Sequence, residues 1–176
     1  MATTTSQKRS VLFKGNPLTV LGPELKAGDP APDFQVLAGD LSKVTLKTFK
    51  GKIKLISVVP SLDTPVCDQQ TRRFNEEAGK LPEDVAVLTI SMDLPFAQKR
   101  FCSTAGIEKI KTLSDHRDAS FGLAYGVLIK DLRLLSRSIF IVGADDRVKY
   151  VEYVKEVTSH PDYEAALKSL KQLAKE

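Results

Sequence analysis

The chain has no tryptophan and only two cysteines, Cys67 and Cys102, among its 176 residues. Two cysteines are too few for a disulfide scaffold, a zinc finger or an iron–sulfur cluster, yet enough for one thiol pair. No Cys-x-x-Cys occurs, which argues against a thioredoxin-type disulfide oxidoreductase. Long apolar runs are also missing. No window approaches 18 uninterrupted apolar residues, and the opening MATTTSQKRS lacks the apolar stretch of a secretory signal. A soluble, cytoplasmic protein without membrane association is therefore expected. Basic runs do not exceed pairs such as Lys8-Arg9, Arg72-Arg73 and Lys99-Arg100, and the net charge is only +4, so nucleic acid is not an expected partner. Neither GxGxxG nor a P-loop is present, which leaves no indication of a nucleotide cofactor. Cys67, Cys102, His116 and His160 follow one another at 35, 14 and 44 positions, a spacing that fits no structural zinc pattern, and no metal or other cofactor is expected.

What remains is an ordinary globular composition, with 42 % hydrophobic and 27 % charged residues. The first nine residues are small and polar and read as a tail; residues 10–176 read as one domain. Val11-Leu12-Phe13 and Leu18-Thr19-Val20 flank Gly15-Asn16-Pro17, a β-hairpin around a turn. Short strands are expected at Phe34–Leu37 and Val44–Leu46. Ile53–Val59 and Val85–Ile90 are nearly continuous β-branched, apolar runs, the signature of strands buried on both faces of a parallel sheet. Helices are expected from about 65 to just before Pro82, over 94–104 and over 118–125, and a short strand over 111–113. Ser138–Val142 and Val148–Val154 form a second hairpin, and Pro161 opens a last helix with Tyr163, Ala166, Leu167, Leu170 and Leu173 on one stripe. Right-handed crossovers then place helices on both faces of a mixed central sheet, an α/β, thioredoxin-like fold with an N-terminal β-hairpin extension. Phe74, Phe96, Phe101 and Phe121 are expected in the core.

Cys67 lies in Pro60-Ser61-Leu62-Asp63-Thr64-Pro65-Val66-Cys67, between a buried strand and the next helix. Thr64 is a good N-cap and Pro65 a good first helical residue. Cys67 then falls in the first turn, where free N–H groups and the helix dipole favour an anion. A free thiol is only about 3 % thiolate at neutral pH, so that environment matters for reactivity. Asp63 and Asp68 oppose a thiolate, which calls for a cation from elsewhere in the fold. Position alone is equally compatible with a small buried hydrophobe, the commonest state of a free cysteine.

Pro-x-x-x-Thr-x-x-Cys after a buried strand resembles the active-site signature of peroxiredoxins, with Pro60, Thr64 and Cys67 in place, and Ala31-Pro32-Asp33-Phe34 matches the start of that family's first core strand. Val58–Cys67, Asp93–Cys102, Leu113–Arg117, Ala124–Val127 and Pro161–Leu167 are similar to the bacterial thiol peroxidase subfamily, and the likeness runs from the Val11 hairpin to the C-terminus. The resemblance implies that the Cys67 thiolate attacks the terminal peroxide oxygen and becomes a sulfenic acid, that Thr64 orients the peroxide and that Pro60 shields the thiolate. It also implies an arginine from a distant strand; Arg137, just before Ile139-Phe140-Ile141-Val142, matches by position, with Arg133 as its competitor. Cys102 matches the subfamily's resolving cysteine, which implies an intrachain Cys67–Cys102 disulfide, recycled by a thioredoxin-like reductant. Hydrogen peroxide and alkyl hydroperoxides are the implied substrates, bulky apolar ones if Phe96 and Phe101 reach the site, and a homodimer is the implied assembly. Because both cysteines sit on helices, bond formation is expected to require local unwinding. The alternative function is a peroxide-sensing thiol switch on the same fold.

Overall fold

The computed structural model describes residues 9–175. The tail expected over residues 1–9 lies outside them except for Arg9, which opens the first strand. The elements run β1 (Arg9–Phe13), β2 (Asn16–Leu21), β3 (Gln35–Leu37), β4 (Lys43–Thr45), a 3-10 turn (Leu46–Phe49), β5 (Ile53–Val58), α1 (Pro65–Ala78), β6 (Val85–Ser91), α2 (Pro95–Ala105) and β7 (Lys111–Ser114). There follow α3 (Ser120–Tyr125), β8 (Leu128–Ile129), β9 (Leu134–Leu135), β10 (Ser138–Val142), β11 (Val148–Tyr153) and α4 (Tyr163–Ala174).

Seven strands form a mixed sheet in the order β11-β10-β5-β6-β7-β3-β4. The β5–β6 and β6–β7 pairs are parallel, as the buried apolar runs predict, and β10 runs antiparallel to β5. Side chains alternate across this sheet with period two. Ile53 and Leu55 pack with Phe74 of α1, Ile139 and Ile141 of β10 and Leu167 and Leu170 of α4. Ile56 and Val58 face the other way, toward Phe34, Phe121, Tyr125 and Phe140. The aromatic rings on that second face meet edge to face or stacked, Phe121 and Tyr125 at 4.3 Å between centroids. Two hydrophobic layers thus cover one sheet, the mixed α/β architecture expected.

The N-terminal hairpin closes through Lys14-Gly15, both at positive φ (49° and 81°), and pairs Phe13 with Asn16. Positive φ at both loop residues is the geometry that matches the twist of a two-residue hairpin. The turn sits one residue earlier than expected, and Asn16 and Pro17 belong to β2. That hairpin extends into a second sheet, β1-β2-β8-β9. The strands β8 and β9 have two residues each, too short to show an alternation in sequence. Leu46 belongs to the 3-10 turn rather than to β4, and α4 begins at Tyr163, with the Asp162 carboxylate accepting from the Ala165 N–H at 3.0 Å. Phe96, expected in the core, is 65 % exposed.

Candidate active site

The β5–β6 ladder carries on to Val59, whose N–H donates to the Ile90 carbonyl at 3.1 Å, and ends at Pro60, which has no N–H to offer. Over Ser61–Thr64 the chain turns away from the sheet, and the turn is held from below by Asp93. One oxygen of that carboxylate accepts from Ser61 Oγ (2.8 Å), and the other from the Leu62 N–H (2.8 Å) and Ser91 Oγ (2.8 Å). Thr64 occupies the N-cap position with extended φ and ψ, and Pro65 opens α1. The Thr64 side chain does not cap, however; its Oγ1 donates to the Ser61 carbonyl at 3.2 Å. The first N–H groups of α1 are therefore left to other acceptors.

Cys67 follows in that first turn, fully buried against Val59, Leu62 and Phe101. Thr71, one turn later, donates from Oγ1 to the Cys67 carbonyl at 2.8 Å. Of the two acids that sequence sets against a thiolate, Asp63 is exposed and Asp68 pairs with Arg72.

The cation that faces the sulfur is Arg137. β10 pairs with β5 so that Ser138 faces Val58, and the residue before Ser138 therefore lies beyond the carboxyl end of β5, where the Cys67 turn begins. Its guanidinium is 2 % exposed and donates three hydrogen bonds: Nη2 to Cys67 Sγ (3.2 Å), Nη1 to Gln70 Oε1 (2.9 Å) and Nε to the Val157 carbonyl (2.9 Å). Gln70 in turn donates from Nε2 to Ser57 Oγ at 2.7 Å. Arg133, the competitor, is exposed at φ 50° in the turn between β8 and β9.

Sequence assigns no site role to Gln70, Ser57, Asp93 or Val157. Two of them left a signal. Gln70 is at i+3 from Cys67 and so on the same helix face, and Ser57 is, with Lys54, one of two polar residues in the apolar run Ile53–Val59. The other two act through a carboxylate and a backbone carbonyl brought in by the fold.

Cys102 is half-buried near the end of α2, 3.6 Å from Thr112 Oγ1, and burial pushes its thiol pKa up. Both cysteines are free thiols. Ser57, Thr89 and Thr112 form one register row across β5, β6 and β7. Gln70 stands over the first and Cys102 over the last, two strand spacings or roughly 10 Å apart. Phe101 is the side chain that touches both regions, packing on the Cys67 cluster and on the cluster that includes Cys102. Beside it opens a cleft lined by Asp63, Leu94, Phe96, Ala97, Arg100 and Thr104. The ring of His160 shares a 2.8 Å hydrogen bond with the Tyr163 hydroxyl. Among the described residues no cluster of His, Cys, Asp and Glu is placed to hold a metal.

The Redoxin family model matches residues 26–167. A thiol peroxidase of Halalkalibacterium halodurans is 65 % identical over 162 residues, which cover 92 % of this chain and 97 % of that protein. The chain belongs to the thiol peroxidase family. Among solved structures, a peroxiredoxin-like protein from Aquifex aeolicus superposes with a TM-score of 0.88 at 43 % identity, covering 94 % of this chain and 97 % of that one. The thiol peroxidase from Chromobacterium violaceum superposes at 0.81 with 26 % identity over 93 % and 95 % of the two chains. As a family member the chain is a thiol-dependent peroxidase on a thioredoxin-like fold.

Proposed function

We propose that this chain reduces hydroperoxides with Cys67 as nucleophile and Cys102 as resolving thiol. The observation that carries this reading is the 3.2 Å contact from Arg137 Nη2 to Cys67 Sγ inside a buried site. The other acceptors of that guanidinium are a neutral amide and a carbonyl. A buried cation whose other partners are neutral is a preorganised donor aimed at the sulfur, placed to stabilise charge that develops there during the reaction.

The thiolate attacks the terminal oxygen of ROOH, the O–O bond breaks, and the departing RO⁻ takes up a proton as ROH. Cys67 is left as a sulfenic acid. Arg137 then faces charge passing from sulfur to the departing oxygen, the place where a preorganised donor acts most strongly. The Thr64 hydroxyl, which now spends its proton on Ser61, is close enough in sequence and exposed enough to turn to a bound peroxide. The buried Pro60 ring, with no N–H, keeps water from the sulfur side of the turn. Cys102 attacks the sulfenic sulfur, water leaves, and a Cys67–Cys102 disulfide results. This interception spares Cys67 the irreversible steps of over-oxidation. A dithiol protein of the thioredoxin kind returns both thiols. Residues 10–176 act as one domain, in the cytoplasm and as a homodimer, in keeping with the family likeness and with the absence of a membrane-crossing helix among the described residues.

The test is peroxide-dependent NADPH oxidation with thioredoxin and thioredoxin reductase. Wild type turns over continuously, which also separates an enzyme from a sensor that oxidises once and stops. Cys67→Ser loses turnover, and Cys102→Ser consumes one equivalent of peroxide but no longer cycles. Undiminished turnover in Cys67→Ser overturns the proposal.

A further inference from the structure

Arg137 reaches Cys67 with one end of its guanidinium and is steered by the other. Its Nε donates to the Val157 carbonyl at 2.9 Å, and its own carbonyl accepts from the Val154 N–H at 3.1 Å. The segment after β11 therefore brackets the arginine on both sides. That segment is fastened to the N-terminal hairpin rather than to the main sheet. Leu12 donates to the Lys155 carbonyl (2.8 Å) and accepts from the Val157 N–H (2.8 Å). The Val157 side chain, 2 % exposed, fills a small cluster with Val11, Val20 and Ile129. Between them Glu156 grips the hairpin's turn: Oε1 accepts from the Lys14 N–H at 2.8 Å and Oε2 from the Gly15 N–H at 3.1 Å. Both donors are the positive-φ residues of the two-residue turn, whose N–H groups lie outside the β1–β2 ladder. At the hairpin's other end Arg9 donates to the Gly126 carbonyl at 2.7 Å and lies over the Tyr153 ring. The hairpin is thus pinned at its base and at its tip, with the Val157 carbonyl between.

We propose that the N-terminal hairpin is the part of the fold that aims the Arg137 guanidinium at Cys67, with Glu156 and the Val157 carbonyl as positioning residues. This inference rests on the peroxidase reading and adds to it a residue pair that never touches substrate. A free guanidinium on a flexible stem samples several orientations, whereas one held at Nε by a fixed carbonyl presents its Nη2 in one direction. Displacing a catalytic group by about 1 Å from a distance can cost on the order of 100-fold in rate. Glu156→Ala leaves Arg137 and Cys67 in place but removes the clamp on the turn.

The expected result is a fall of about 10-fold in the single-turnover rate of the reduced Glu156→Ala enzyme with hydrogen peroxide. The rate of Cys67 modification by iodoacetamide at neutral pH falls in parallel, while reduction of the oxidised form by dithiothreitol is unchanged. Glu156→Gln falls between, because its amide keeps one of the two acceptors. In NMR spectra the Arg137 Nε–H exchanges with solvent faster in Glu156→Ala than in wild type, a change that a purely stabilising residue would not produce. A folded Glu156→Ala that reacts at the wild-type rate, or an unaltered Nε–H, overturns the inference. Should the alanine variant fail to fold, the glutamine variant decides it by the same two readouts. Iodoacetamide and Nε–H exchange need no peroxide, so a wild type inert to peroxide would sink the peroxidase reading and leave the hairpin's role to be judged by them.

Discussion

Arg137 is a full positive charge at 2 % exposure, and none of its three hydrogen-bond acceptors is a carboxylate. Leaving such a charge without polar partners costs several kcal/mol, which is why all three faces of the guanidinium are hydrogen-bonded. The three acceptors also lie at distinct ends of a planar fork, so charge alone does not substitute for shape. Arg137→Lys keeps the charge and loses the fork; an ammonium on a single stem does not reach Val157, Gln70 and Cys67 together. The second-order rate constant with hydrogen peroxide, read by competition with a heme peroxidase, is expected to drop by about 100-fold, with the fold intact by circular dichroism. A lysine variant within twofold of wild type would show that only net charge matters. Sequence carried this far unevenly. Pro60, Thr64 and Cys67 fall within one eight-residue stretch and are readable as a motif, whereas Arg137 is 70 positions from Cys67 and meets it only through the β5–β10 register. Gln70 and the Val157 carbonyl gain their roles from that same meeting.

At the scale of elements, α1 and α2 hold the two thiols over different strands. Cys102 is one turn from the end of α2, its carbonyl accepting from the Ile107 N–H at 2.9 Å beyond a left-handed Gly106. Closing a Cys67–Cys102 bond therefore means releasing the first turn of α1, the last turns of α2, or both. Burial raises the Cys102 pKa, so the packed helix holds this group as a thiol, and unwinding exposes it to water and makes the thiolate easier to form. Amide exchange over residues 65–70 or 100–107 is expected to be at least tenfold faster in the oxidised than in the reduced protein. Equal protection of both segments in the two states would rule this motion out. The helices and long strands were legible because their periodicities of 3.6 and 2 persist over many residues. Where elements are short or tertiary contacts decide, sequence gave less. The β8–β9 pair has too few residues for a pattern. Thr64 takes its capping position but turns its hydroxyl to Ser61. Phe96 is apolar and stands out at the edge of the Asp63–Thr104 cleft.

For the whole molecule, the sheet's other face carries an ionisable group that the chemistry does not use. Asp115, 1 % exposed, caps α3 by accepting from the Phe121 N–H (3.0 Å) and the Gly122 N–H (2.8 Å). Burial above all raises its pKa to about 6, with Asp118 adding to the rise and the two N–H groups and Arg133 opposing it. A carboxyl with a raised folded-state pKa binds its proton more readily folded than unfolded, so its contribution to stability grows as pH falls from about 6 toward 4 and is lost as pH rises through 6. Measured by urea unfolding, wild type should gain up to about 3 kcal/mol relative to Asp115→Asn between pH 7 and pH 4; parallel curves would refute this. The same long-range construction has a consequence for the protein's birth. Arg137 follows Cys67 by 70 residues, so at roughly 5–20 residues per second the Cys67 thiol leaves the ribosome about 4–14 s before the arginine that faces it. Val157, which aims that arginine, comes 20 residues later still. On the proposed roles, a nascent chain carries Cys67 for several seconds without Arg137 and Val157, and its full reactivity is expected only after Val157 has been made.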